Sequence, residues 1–66
     1  MLKTTIQISG NDYVSTREIE RAYNLSRKRA WQLLKDSDLH RIKFLQMNFY
    51  LLTDAQSYMD KTLKNN

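Results

Sequence analysis

Two helix-capping serines, Ser15 and Ser26, limit what this chain can fold into because they stand close together. The stretch from Ser15 to Glu18 has the pattern of a capping box, in which the serine caps the helix and the glutamate reaches back to it. Asn24 tolerates the left-handed conformation that ends many helices, and Ser26 then provides a second cap. The spacing predicts two short helices joined by a tight turn within residues 15–36.

Apolar residues recur at helical spacing in both predicted helices. Ile19 marks the inward side of the first helix, and Ala30, Leu33 and Leu34 mark that of the second. A polar face of the second helix is then directed outward. That face carries Arg27, Lys28, Trp31, Gln32 and Lys35. Two short helices in this order are a helix-turn-helix arrangement.

The segments around these helices are predicted to add a small amount of β-structure and a third helix. Residues 1–12 are expected to be an N-terminal extension or a short strand, with a turn at 10–12 and a frayed terminus as the alternative. Residues 41–52 are rich in aromatic and aliphatic side chains, and this pattern predicts a β-hairpin. A single buried helix is the competing interpretation. A second capping pattern at Thr53 predicts a C-terminal helix over 53–64.

Composition limits the chain to one small domain, spanning residues 1–66, without disulfides or thiolate-bound metal, because it has no cysteine. The N-terminus lacks the apolar region of a signal peptide, and no run is long enough to cross a membrane, so a cytoplasmic protein is expected. The formal net charge is +4. All of this net charge comes from residues 26–43. Such a concentration favours a polyanionic partner, and a solvated basic face is the alternative.

The outward face of the second helix suits DNA. Arg27 and Lys28 can donate to guanine and Gln32 can pair with adenine, whereas Lys35 and Trp31 suit the phosphate and sugar backbone. Trp31 packing back onto the hairpin is the alternative, and the two roles are compatible if one ring edge stays exposed. The remaining candidate DNA contacts are Ser26 at the start of this helix, Thr16 and Arg17 at the start of the first helix, and Arg41, Lys43, Gln46 and Asn48 in the hairpin. For the hairpin residues, simple solvation is an equal alternative.

Residues 13–39 resemble the excisionase-type, MerR-like winged helix-turn-helix domains. The positions that carry the resemblance are Thr16, Glu18, Ile19, Leu25, Ser26, Arg27, Lys28, Trp31, Leu33, Leu34 and Leu39, followed by the hairpin and by Tyr58 in the last helix. The resemblance implies a mainly α winged helix-turn-helix fold in which a small β-hairpin forms the wing. One departure is that the family's wing often carries Gly-Gly and several arginines, whereas residues 45–48 here are Leu-Gln-Met-Asn. Met47 or Phe49 is therefore also a candidate contact to another protein or to a second copy of the chain.

The resemblance implies a phage or mobile-element excisionase, a recombination directionality factor that binds and bends double-stranded DNA at the nucleoid of a bacterial cell. A recombinase (integrase) or a second copy of the chain would be its protein partner, and no membrane, cofactor or small-molecule ligand is expected. The first alternative is a small transcriptional regulator with the same DNA-binding mode. The second is a protein-binding accessory or inhibitor module of a plasmid or replication system. An enzyme is not expected, because His40 is the only histidine and no nucleophile–base pair is apparent.

Overall fold

A computed structural model describes residues 2–64, so residues 1, 65 and 66 of the predicted domain lie outside it. Four strands and three helices make up the described part of the chain. In sequence order they are β1 (Ile6–Ile8), β2 (Asn11–Ser15), α1 (Thr16–Tyr23), α2 (Arg27–Lys35), β3 (Arg41–Phe44), β4 (Met47–Leu51) and α3 (Leu52–Lys64). The strands form one antiparallel sheet in the order β1-β2-β4-β3.

The predicted fold class, a mainly α winged helix-turn-helix with a small hairpin, is wrong because the sheet is much larger than expected. Residues 10–12 were predicted to form a turn, but Asn11 and Asp12 belong to strand β2. This strand pairs with β4, with Val14 opposite Tyr50. The predicted wing is therefore half of a four-stranded sheet. Asparagine and aspartate are disfavoured in strands, so local sequence pattern gives little sign of this long-range pairing.

Both hairpins close through two-residue turns. Ser9 and Gly10 connect β1 to β2 with φ angles of 51° and 83°, and Leu45 and Gln46 connect β3 to β4 with φ angles of 52° and 62°. Two consecutive positive φ angles are the mark of a type I′ turn, whose twist matches that of the flanking strands. A hairpin within residues 41–52 is thus confirmed, and the alternative of a single buried helix is wrong. The hairpin ends at Leu51, and α3 begins one residue before the predicted position.

The two helix caps are confirmed. The Oγ atom of Ser15 accepts a hydrogen bond from the backbone N–H of Glu18 at 3.1 Å. The Oγ atom of Ser26 accepts one from the N–H of Arg29, also at 3.1 Å. Asn24 adopts the left-handed conformation and ends α1, as predicted. The boundaries of α1 and α2 therefore follow from local chemistry alone.

The predicted hydrogen bond from the backbone N–H of Ser15 to the Glu18 carboxylate, which would complete the capping box, is absent, so this part of the prediction is wrong. The Glu18 carboxylate accepts a hydrogen bond from the backbone N–H of Lys3 at 2.7 Å instead of from that of Ser15. It also accepts two from the Arg21 guanidinium, at 3.0 and 2.7 Å. The N–H of Ser15 donates to the Thr5 hydroxyl at 3.1 Å. Lys3 and Thr5 of the N-terminal segment therefore bond to Glu18 and Ser15, and these two hydrogen bonds hold the segment against the start of α1.

One face of the sheet packs against the helices. Val14 and Tyr50 lie opposite each other on this face and are buried. They belong to the main core, whose other members are Leu2, Ile19, Leu33, Leu34, Ala55 and Met59. The inward face predicted for α2 is confirmed, since Ala30, Leu33 and Leu34 are all buried. Burial of these side chains is the main source of stability for a domain this small.

The opposite face of the sheet is also apolar, although it lies outside the main core. The strand register puts on it Ile6, Tyr13, Ile42, Phe44, Met47, Phe49 and Leu51. Phe49 on this face is nevertheless buried, at 3 % exposed, although it is not a member of the main core. Towards the tip of the β3–β4 hairpin this face opens to solvent, where Phe44 and Met47 are exposed.

Helix α3 fixes the other two helices by hydrogen bonds. The Tyr58 hydroxyl donates to the backbone carbonyl of Leu33 in α2 at 2.8 Å. The Tyr23 hydroxyl of α1 donates to the Asp60 carboxylate at 3.0 Å. Partial burial, together with this carboxylate, raises the pKa of Tyr23 to about 12. Within residues 2–64, none of the helices has the length and hydrophobicity that crossing a membrane requires.

Candidate nucleic-acid interface

Helix α2 exposes its basic side. All five residues of the outward face predicted from the sequence are exposed: Arg27, Lys28, Trp31, Gln32 and Lys35. The helix is held from behind by its buried leucines and by the Tyr58 hydrogen bond, so its polar side is fixed in orientation. A packed helix with an exposed cationic side provides preorganised donors for an anionic partner.

The β3–β4 hairpin adds cations beside α2. Arg41 lies opposite Tyr50, and Lys43 lies opposite Asn48, so Arg41, Lys43 and Asn48 share the helix-packed face of the sheet. Both cationic side chains are exposed. The hairpin therefore adds two exposed cations on the face of the sheet that packs against the helices.

Two open clefts connect the three elements. The first, of about 290 Å³, lies between α1, α2 and the hairpin and is lined by Thr16, Arg17, Glu20, Arg27, Trp31, Met47 and Asn48. The second, of about 150 Å³, is lined by Thr16, Trp31, Leu34, Lys35, Arg41, Asn48 and Tyr50. Thr16, Trp31 and Asn48 line both. Candidate residues that are far apart in the sequence thus meet around the Trp31 ring.

Trp31 stands at the centre of this surface. Its side chain is 57 % exposed, although it also lines both clefts. The Nζ atom of Lys35 lies 4.9 Å from the centre of the ring, within the range of a cation–π contact. The two interpretations of Trp31 from the sequence are therefore compatible, since part of the ring packs and part is available to a partner.

Some candidate residues lie outside the two clefts. Ser26 caps α2 through its hydroxyl, so that group already has a structural role. Lys28 and Lys43 are exposed but line neither cleft. Gln46 lies in the hairpin turn, as expected for a residue near the tip, whereas Asn48 lies within strand β4.

Two residues of the first cleft were not assigned to DNA from the sequence. Met47 lines it beside the cations, and Glu20 is its one acidic lining residue. Glu20 follows Thr16 by one helical turn on α1. The helical spacing alone could therefore have placed Glu20 on the same face as the candidate Thr16. The second cleft has two cationic lining residues, Lys35 and Arg41, and no acidic one.

The remaining charges of α1 are neutralised locally. Glu18 forms an ion pair with Arg21 at 2.7 Å, and the hydrogen bonds from Arg21 are the main reason that the pKa of Glu18 is lowered to about 2. Residues 26–43 contain six basic side chains against two acidic ones. The positive excess of the chain is therefore concentrated on α2 and β3.

Within the described residues, no cluster of histidine, aspartate and glutamate has the arrangement needed to hold a metal ion.

Comparison with known proteins gives no relative. No protein-family model matches the chain, and no curated protein and no solved structure is significantly similar to it.

Proposed function

We propose that this chain is a sequence-specific double-stranded DNA-binding protein that uses α2 and the adjacent β3–β4 hairpin. The observation that carries the proposal is the convergence of cations from separate elements around one exposed tryptophan. Arg17 of α1, Arg27 and Lys35 of α2, and Arg41 of β3 line the two clefts that meet at Trp31. Such a basic surface, which releases counterions when it meets phosphates, favours nucleic acid over an uncharged partner.

The dimensions of α2 suit a major groove. An α-helix with its side chains is about 10–12 Å across, which matches the groove width of about 12 Å. In this mode Arg27, Lys28 and Gln32 contact base edges. Lys35 and Arg41 contact phosphates on one side, and Arg17 contacts them on the other. Asn48, next to Arg41 in the second cleft, adds a neutral donor for the backbone.

The biological role proposed within this class is an excisionase, or recombination directionality factor, of a phage or mobile element acting in the cytoplasm. The support is the resemblance of residues 13–39, which comprise the end of β2, α1, α2 and the loop that follows α2. A small transcriptional regulator would use the same surface on a single site. The two roles differ in the DNA geometry that they need, because an excisive assembly requires bent DNA and adjacent sites.

The test is selection of bound duplexes from random DNA, followed by a bending assay on the enriched sequence. A defined motif supports the proposal; tandem copies with strong bending support the excisionase role, and a single unbent palindrome supports the regulator. The matched control is a variant in which Arg27 and Lys35 are both replaced by alanine, and it is expected to enrich no motif. Failure of the wild-type chain to enrich any sequence, with weak and salt-insensitive binding, would overturn the proposal in favour of a protein-binding module.

A further inference from the structure

The tip of the β3–β4 hairpin is a cluster of exposed apolar side chains. Phe44, Leu45 and Met47 are 49 %, 77 % and 44 % exposed. Phe44 lies directly opposite Met47, so these two side chains share one face immediately behind the turn. Single exposed apolar residues are ordinary, but three together at one tip indicate a contact surface.

The backbone at this tip is unfavourable for the residue that occupies it. Leu45 has a φ angle of 52°, in the left-handed region that bulky side chains avoid. Asparagine or glycine is the usual residue at this position of a type I′ turn. A leucine that is both strained and exposed contributes little to the fold, and such outliers are concentrated at functional positions.

Charges next to the tip favour a polyanionic partner. Residues 41–52 contain Arg41 and Lys43 but no aspartate or glutamate. Met47 also lines the first cleft together with Arg17 and Arg27. The apolar tip is thus continuous with the cationic surface proposed to bind DNA, and this continuity distinguishes it from an isolated patch for an apolar protein partner.

We propose that Leu45, supported by Phe44 and Met47, is a wedge that enters the minor groove and inserts between base pairs, which kinks the duplex. The inference rests on the proposed DNA-binding function and adds to it the source of bending. A two-residue turn gives the hairpin a narrow end, which suits entry into a groove of about 6 Å. Leucine, phenylalanine and methionine are among the side chains that unstack base steps in this way. Lys43, in the strand behind the turn, is then directed to the adjacent phosphates.

The experiment compares the wild-type chain with Leu45→Asn on the duplex obtained by selection. Asparagine fits the left-handed turn but removes the wedge. The bend is measured by energy transfer between dyes at the duplex ends, and unstacking by the fluorescence of 2-aminopurine placed at successive steps. We expect Leu45→Asn to bind with the same salt dependence, to lose at least half of the bend angle and to abolish the fluorescence increase. The control Ser9→Asn changes the equivalent residue of the β1–β2 turn, where φ is 51°, without removing an apolar side chain, and it is expected to keep both signals.

Failure of the wedge is distinguishable from failure of the proposed function. Tight, salt-dependent binding of wild type without bending or unstacking overturns the wedge alone, as does a bend that Leu45→Asn leaves unchanged. Absence of duplex binding by wild type overturns the proposed function and the wedge together. Sedimentation of both chains without DNA completes the test, because a dimer that Leu45→Asn dissociates would identify the tip as a protein contact and overturn the wedge. Circular dichroism checks that the variant is folded.

Discussion

The ammonium group of Lys35 lies over the ring of Trp31, 4.9 Å from its centre. The two residues are one helical turn apart on α2, so the contact forms within the helix itself. It keeps a cation and an aromatic plane together at the point where the two clefts meet. This pair is the centre of the proposed DNA-binding surface.

Replacing Lys35 by alanine is expected to weaken binding to all duplexes by a similar factor, because a phosphate contact carries no sequence information. The slope of log affinity against log salt concentration should become shallower by about 1. Fluorescence anisotropy of a labelled duplex at several salt concentrations measures both effects. Lys61→Ala, which removes an exposed lysine from α3, is the matched control and should leave the slope unchanged. A changed sequence preference in Lys35→Ala would contradict the phosphate role.

Replacing Arg27 by alanine is expected to cost about 1–3 kcal/mol on the selected site and to relax specificity at one base pair, because a bidentate contact to guanine is lost. Competition with single-base variants of the site measures this effect. Arg29→Ala is the control: it removes the same charge from the same helix, but Arg29 lies outside the two clefts that meet the hairpin. If both variants lost the same affinity without a change of specificity, Arg27 would be a general electrostatic contact and not a base-reading residue.

Acid is expected to remove the stabilisation that Glu18 provides. The hydrogen bonds from Arg21 and Lys3 hold the pKa of Glu18 at about 2, below the ordinary value of 4.5. A carboxyl with a lowered pKa stabilises the fold above its unfolded-state pKa, and this contribution is lost as pH falls from about 4.5 to about 2. Glu18→Gln should therefore lower the free energy of unfolding by about 1 kcal/mol at pH 7, since the pair is partly exposed.

Urea denaturation at pH 7 and pH 2 measures this difference, which should shrink towards zero at the lower pH. Glu20→Gln, on the same helix, is the control for a general loss of negative charge. A Glu18→Gln effect of the same size at both pH values would show that the carboxylate acts by packing and not by charge.

The Leu45→Asn substitution is expected to raise the free energy of unfolding by about 1 kcal/mol, because asparagine tolerates the left-handed conformation better than leucine. Little buried area is lost, since Leu45 is 77 % exposed. Thermal or urea unfolding measures the gain. Ser9→Asn places the same residue at the equivalent position of the other turn, where φ is 51°, and a smaller gain is expected because serine is less bulky. Destabilisation by Leu45→Asn would mean that the leucine packs against the fold.

Local chemistry made the helices predictable. The caps at Ser15 and Ser26 and the left-handed Asn24 each act within one helical turn, so their residues identify the boundaries of α1 and α2. The exposed face of α2 followed from the spacing of Ala30 and Leu33, because burial of these residues leaves only one side outward.

Long-range pairing made the sheet hard to predict. Strand β2 exists because Val14 lies opposite Tyr50, a pairing that no local pattern encodes. Asn11 and Asp12 also gave the stronger signal of a turn. The hairpin turn was obscured in a similar way, since Leu45 and Gln46 replace the asparagine and glycine that usually mark it. The meeting of Arg41 with Trp31 depends on that same sheet, which is why only parts of the site could be assigned from the sequence.

The most direct test of the account is the affinity of the chain for its selected duplex as salt is raised from about 50 to about 200 mM. Because the cations around Trp31 neutralise several phosphates, the affinity is expected to fall about 10²–10³-fold. An affinity that stays constant over this range would contradict DNA binding by the basic surface of α2 and the hairpin.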